Sequence, residues 1–238
     1  TESTSKLFKL AGYDDSLLEK AKKRGFKAVP LGVKTNFKVS NKIKRSKSNN
    51  VIARLEGKSR QAENIIYTAH WDHLGIGEPV HGDSIYNGAI DNAAGVAALF
   101  EIAKAFKAAK KAPERSIVFL AVTSEEDGLL GSDYYVRNPI FPLKTTVANI
   151  NMDAFSAAGA TKDISIVGKG QSEMDDYAQR SALKFGRYTK AEGNPGSGGF
   201  YRSDHFNFAK VGVPALYAGS GSDYIEQDTS IIAQRKKA

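Results

Sequence analysis

A three-layer α/β fold, with a mixed and mostly parallel sheet covered by helices on both faces, is what this sequence predicts, and two observations predict it. Short apolar runs without alternation, NIIYTA (64–69) and SIVFLAVT (116–123), suit strands buried on both faces. Such runs take turns along the chain with stretches of helical period. The clearest covers 92–110, where Val96, Leu99, Phe100, Ala103 and Phe106 fall on one face and lysines on the other. A chain of 238 residues is long enough to bury a substantial core in this fold.

In chain order, residues 14–24 (DDSLLEKAKKR) read as a short helix closed by Gly25, with Pro30 and Gly32 as breakers beyond it. Residues 33–40 (VKTNFKVS) alternate as an exposed strand does. The basic connector NKIKRSKSNN leads to the first firm strand, Val51–Leu55. The strand Asn64–Ala69 follows, then the long helix ended by Pro113, the strand Ser116–Thr123 and a helix near 128–137. Strands at Val147–Met152 and Ile164–Val167, an amphipathic helix over Glu173–Phe185, the loop GNPGSGGFYR, a short helix at 204–210 and the strand Val213–Ala218 complete the pattern.

Composition narrows the chemistry. There are no cysteines, so disulfides, thiolate metal sites and a cysteine nucleophile are excluded. A transition metal must be held by His, Asp and Glu, and the histidines number four: His70, His73, His81 and His205. Charge is uneven. Residues 1–60 carry 16 Lys/Arg against 5 Asp/Glu, whereas the remainder carries 18 against 21. The basic stretch has no helix-turn-helix or RNA-binding signature, so a solvated basic face is expected and nucleic acid is not. No apolar run approaches the roughly 18–20 residues of a membrane span, and the first ten residues lack the apolar stretch of a signal peptide, although a removed signal leaves no trace. The segments GSGSD and GNPGSGG lack the lysine and the strand–loop–helix setting of a phosphate loop.

Acidic and histidine residues gather at predicted strand ends. NIIYTA runs into His70-Trp71-Asp72-His73, a loop brings Asp91 to the start of the long helix, SIVFLAVTS runs into Glu125-Glu126, and VANINM runs into Asp153. Ligand sites in α/β folds lie at the carboxyl ends of strands. Imidazole and carboxylate both bind zinc, a pair of zinc ions can share a bridging carboxylate, and a further carboxylate can carry the proton. Adjacent Glu125 and Glu126 point in different directions, so one can bind metal while the other acts as base. Plainer readings apply elsewhere. His73 and His81 are expected to be structural or exposed loop residues, Asp83 a turn residue, Trp71 a packing residue and Asp127 a helix N-cap. Phe200 and Tyr201 either line a pocket or pack locally.

The strings AHWDHLG, YNGAIDNAAGVAAL, AVTSEEDGLLGSDYY, NINMDA and YRSDHFNFAKVGVPAL resemble, in order and spacing, the M28-type zinc aminopeptidases over about residues 50–220. The resemblance implies a zinc-exopeptidase-like fold and hydrolysis of the N-terminal peptide bond of peptides, with two zinc ions and a glutamate general base. It casts His70 and Asp153 as ligands of the first zinc, Asp72 as the partner orienting His70, Asp91 as the bridging carboxylate, Glu126 as a ligand of the second zinc and Glu125 as the base. Asp204, His205 and Tyr201 would line the substrate pocket, and the Asp91–Asn92 peptide would be cis. The family's fifth ligand is a histidine beyond the GVPAL strand, and no histidine follows His205 here. Three explanations stand open: a C-terminally truncated catalytic domain over 51–238, a variant with a weakened or single-metal site, or replacement by His205. Residues 1–50 then form a basic N-terminal segment, resembling the stretch that follows a protease-associated domain in larger relatives. The expected setting is secreted or periplasmic. The alternatives are a cyclase or carboxypeptidase on the same scaffold, or a non-catalytic, metal-deficient relative serving as a binding module.

Overall fold

The computed structural model describes all residues except Thr1, Lys44, Ala154, Ala157, Gln227 and Ala238, and the side chains of Lys236 and Lys237. The chain forms two compact units, residues 1–46 and 47–238. The first holds helices α1 (Glu2–Leu10) and α2 (Ser16–Ala21), the latter inside the predicted 14–24 helix. The strand expected at 33–40 is not formed, and Phe37 and Val39 are exposed. Alternation provides a strand with two faces but not with the neighbouring backbone that its N–H and C=O groups must pair with.

In the second unit the elements run β1 (Val51–Leu55), β2 (Arg60–His70), β3 (Gly75–Val80), β4 (Asp83–Tyr86), α3 (Ala94–Ala108), β5 (Arg115–Val122), α4 (Leu130–Arg137), β6 (Thr146–Asn151), β7 (Asp163–Val167), α5 (Met174–Lys184), β8 (Tyr188–Ala191), α6 (His205–Lys210), β9 (Ala215–Ser220) and α7 (Thr229–Lys237). Seven strands form one sheet in the order β1-β5-β2-β6-β9-β7-β8. The β5-β2, β2-β6, β6-β9 and β7-β8 pairs are parallel, while β1-β5 and β7-β9 are antiparallel, so the sheet is mixed and mostly parallel.

Each face of this sheet has its own core, and β5 shows why. Its side chains point alternately to the two faces. Val118, Leu120 and Val122 pack with Ile66, with Tyr135 and Val136 of α4 and with Phe208 of α6. Ile117 and Phe119 pack with Ala69, Met152 and Leu99 of α3. Val96, Ala103 and Phe106 join that second core as their spacing predicts, but Phe100 is 66% exposed. At about 100° per residue it falls on the edge of the apolar stripe.

Several elements escaped the sequence pattern. The β3-β4 hairpin turns at His81 and Gly82, both with positive φ, and its strands carry a proline, glycines and no alternation. The GSGSD segment is structural. The backbone N–H groups of Ser222 and Asp223 donate to the buried carboxylate of Asp163 at 3.0 and 2.8 Å, and a Cβ at Gly221 would collide with that carboxylate.

Candidate metal centre

Adjacent parallel strands open at the same edge of a sheet. Here β5, β2 and β6 are neighbours in register, with Ile65 opposite Ile117 and Ala148. His70 is the last residue of β2, Glu125 and Glu126 lie just past β5, and Asp153 lies just past β6. Asp91 comes from the irregular turn Ala89–Ala93, where Asp91 and Asn92 leave helical geometry and the Asp91–Asn92 peptide is cis. Asn92 ties this turn to the β6 end. Its Nδ2 donates to the carbonyl of Met152 at 2.9 Å, and its Oδ1 accepts from the Gly95 N–H at 3.0 Å. Gly95 permits the approach, since a Cβ there would lie 2.6 Å from the Met152 carbonyl oxygen.

Two groups of metal-competent side chains result. In the first, ligand atoms of His70, Glu125 and Asp153 lie within 4.8 Å of one another. His70 Nε2 is 3.3 Å from Asp153 Oδ1, as a hydrogen bond, and 3.0 Å from Asp91 Oδ1. That Asp91 oxygen is buried yet has no hydrogen-bond partner. An imidazole nitrogen within 3.3 Å of one carboxylate oxygen and 3.0 Å of another, the latter unsatisfied, suits a nearby cation. The other ring nitrogen, Nδ1, faces the Asp72 backbone carbonyl at 3.0 Å, while the nearer Asp72 carboxylate oxygen is 3.8 Å away. The ring is therefore oriented by the main chain of Asp72 more than by its carboxylate, which instead accepts the Glu126 N–H at 3.3 Å.

Asp153 is held by a buried relay. Thr68 donates to Asn151 at 2.7 Å, Asn151 Nδ2 donates to Ser203 Oγ at 2.7 Å, and Ser203 donates to Asp153 Oδ2 at 2.6 Å. Burial opposes charge on both His70 and Asp153. The hydrogen bond and charge of Asp153, with Glu125 behind it, nonetheless push His70 up to about 10. Against the same burial, His70 and Ser203 lower Asp153 below the ordinary carboxylate value. Glu125 is raised to about 8, first by burial and then, against the pull of His70, by the charges of Asp204, Asp153 and Glu126.

The second group is His73, Asp91 and Glu126, again with ligand atoms within 4.8 Å. His73 Nδ1 is 2.6 Å from Glu126 Oε1. Adjacent Glu125 and Glu126 thus serve different groups, and Asp91 reaches both. His73, read from the sequence as a structural or exposed loop residue, is partly exposed and paired with Glu126. It lies three positions beyond His70, where the chain has left the strand and turned back across the β5 end, and strand periodicity cannot foresee that turn.

Other expectations change as well. Asp204 and His205 are fully buried, so neither side chain is open to a substrate, and only Tyr201 of that trio is exposed. Burial raises Asp204 to about 7 and lowers His205 to about 4. The His205 ring packs between Phe200 and Tyr217, each centroid 5.0 Å away. Trp71 is half-exposed, with its indole N–H donating to the Asn49 carbonyl at 3.1 Å. Asp127 lies in an exposed turn ahead of α4, whose N-terminus has no side-chain cap. His81 is on the exposed hairpin turn, and Asp83 Oδ1 accepts the Ile85 N–H at 2.8 Å.

This arrangement agrees with the match of residues 50–234 to the family model described as peptidase family M28. The chain belongs to peptidase family M28. Aminopeptidase NAALADL1 of Rattus norvegicus is 28% identical over 200 residues, covering 73% of this chain and 25% of that protein. A vacuolar membrane protease of Lodderomyces elongisporus is 34% identical over 103 residues, covering 43% of this chain and 10% of that protein. The solved structure of BSAP, a zinc aminopeptidase from Bacillus subtilis, superposes with a TM-score of 0.57 at 26% identity, covering 75% of this chain and 42% of that one. The chain therefore spans a quarter or less of the length of these two curated relatives. Among the described residues, no helix is long and apolar enough to cross a membrane.

Proposed function

We propose that this M28 chain is the metal-binding core of a zinc aminopeptidase that removes the N-terminal residue of a peptide, using two zinc ions and Glu125 as the general base. One observation carries the proposal: Asp91 belongs to one His/carboxylate group and touches the histidine of the other, as a carboxylate shared between two ions must. The donor set is imidazole and carboxylate only, which suits zinc. Zinc held there supplies Lewis acidity, polarising the scissile carbonyl and acidifying water.

The remaining work falls to the chain's own residues. Glu125 takes the proton of the attacking water and returns it to the leaving amine nitrogen. A carboxyl lifted toward neutrality by burial and by its acidic neighbours is suited to hold that proton transiently. With a cation bound nearby, the Glu125 carboxyl would lose its proton more readily and be available as a base. His70 and Asp153 keep their places through the Asp72 carbonyl and the Ser203 hydroxyl. Exposed Tyr201 is assigned to the pocket for the N-terminal side chain. A peptide substrate and a secreted or periplasmic setting belong to the same reading.

The test combines zinc analysis with hydrolysis of an aminoacyl-anilide. Turnover with about two zinc per chain is expected. Glu125→Gln should keep its metal and lose about 100- to 10,000-fold in kcat. Full activity in that variant discards Glu125 as the base, and an inert chain with at most one ion favours the binding-module alternative.

A further inference from the structure

We infer that His73 is itself a metal ligand, completing with Asp91 and Glu126 the second cation subsite from within the loop that follows β2. This rests on the reading of the chain as a metallopeptidase core and goes beyond it, because the family resemblance assigns His73 no role.

Three observations carry the inference. The first is convergence. His73, Asp91 and Glu126 come from three separate segments, yet each presents a ligand atom within 4.8 Å of the others. Ligand atoms at zinc distances in a tetrahedral set lie about 3.3–3.5 Å apart. The 2.6 Å between His73 Nδ1 and Glu126 Oε1 must therefore open by less than about 1 Å to admit the ion. Both side chains are about one-fifth exposed.

The second is the packing that holds His73 in place. Gly88 has φ +65, and a Cβ there would lie 2.7 Å from the His73 Cβ. The turn carrying Asp91 is thus pressed onto His73 at a point that accepts no side chain. Across the site, the Glu126 N–H donates to Asp72 one residue before His73, so both partners are tied to the same short loop.

The third is ligand number. Among the described residues, Glu126 and a shared Asp91 are the other members of this group. With His73 there are three protein ligands, the number that leaves a fourth position open in catalytic zinc sites. The other two histidines outside the first group are elsewhere, His81 on the exposed hairpin turn and His205 buried against Phe200 and Tyr217.

The decisive variant is His73→Gln, whose amide can still donate a hydrogen bond to Glu126 but offers no imidazole. Equilibrium dialysis against Zn2+, with circular dichroism to establish folding, should give about two ions per chain for the parent protein and about one for His73→Gln. His73→Ala provides the same reading if the glutamine variant does not fold. In the Co2+-substituted parent, paramagnetically shifted imidazole N–H resonances should come from two histidines, and in His73→Gln from His70 alone. Retention of both ions by His73→Gln at parental affinity would overturn the inference and leave His73 as a residue that only positions Glu126. Binding of one ion by both proteins also overturns it while leaving the first site standing. A parent protein that binds no ion removes the metallopeptidase reading as well, so the two failures are distinguishable.

Discussion

The two halves of the candidate metal centre are built differently. His70 and Asp153 are rigid ends of central parallel strands, almost wholly buried, with His70 1% exposed and Asp153 held by a three-step polar relay. His73, Glu126 and Asp91 sit on loops, with side chains 22%, 22% and 47% exposed. The buried half gains electrostatic strength from its low dielectric, which also explains why His70 and Glu125 move so far from their ordinary values. The exposed half gives up that strength for access to solvent.

This contrast is best broken at His70. In the metal-free protein, His70→Ala leaves the Asp153 carboxylate buried without its cationic partner, and should cost about 3–5 kcal/mol in urea unfolding. The same change at the more exposed His73 should cost less than about 1 kcal/mol. Equal losses at the two positions would erase the distinction. Ser203→Ala should weaken binding of the first ion by about 10- to 100-fold and leave the second unchanged, as titration with a chelator-buffered metal would reveal. Gly88→Ala addresses the other half. Its Cβ would clash with His73, and the positive φ adds strain, so about 1–3 kcal/mol of stability and the second ion should be lost while the first ion is retained.

The last expectation concerns pH. His70 and Glu125 both bind a proton more tightly in the folded chain than in the unfolded one. The stability from Glu125 is fully present below about pH 4.5 and fades as pH rises through about 8, and that from His70 is present below about 6.5 and fades through about 10. Asp153, with its lowered value, acts in the opposite sense and loses its contribution as pH falls. The urea-unfolding free energy of the metal-free protein should therefore decline by up to about 1.4 kcal/mol per pH unit for Glu125 between about pH 4.5 and 8, and likewise for His70 between about pH 6.5 and 10. Zinc should reverse the trend, because its ligands bind once they have lost their protons. A flat profile without metal would show that the buried half lacks the charge coupling described here.

The fold was legible wherever one element carries its own signal. NIIYTA and SIVFLAVT are apolar enough to be buried on both faces in any arrangement, and the 3.6-residue stripe of α3 needs no partner to be recognised. The hairpin at 75–86 was not legible, since its strands have little apolar pattern and its turn depends on two positive φ values. The false strand at 33–40 failed for the converse reason, having a pattern but no partner. At the site, His70, Asp91, Glu125, Glu126 and Asp153 were legible as metal-competent candidates from residue type beside predicted strands and the long helix.

The sequence alone determined which side chains were available for metal and proton chemistry, because the absence of cysteine and the order of strands and acidic ends are local, one-dimensional properties. Only the tertiary structure decided which of them meet. His73 joins Glu126 across 53 positions, while Asp204 is buried and the His205 ring packs against Phe200 and Tyr217. The directions taken by loops after a strand are set by close packing at points such as Gly88, and packing is a property of the folded whole.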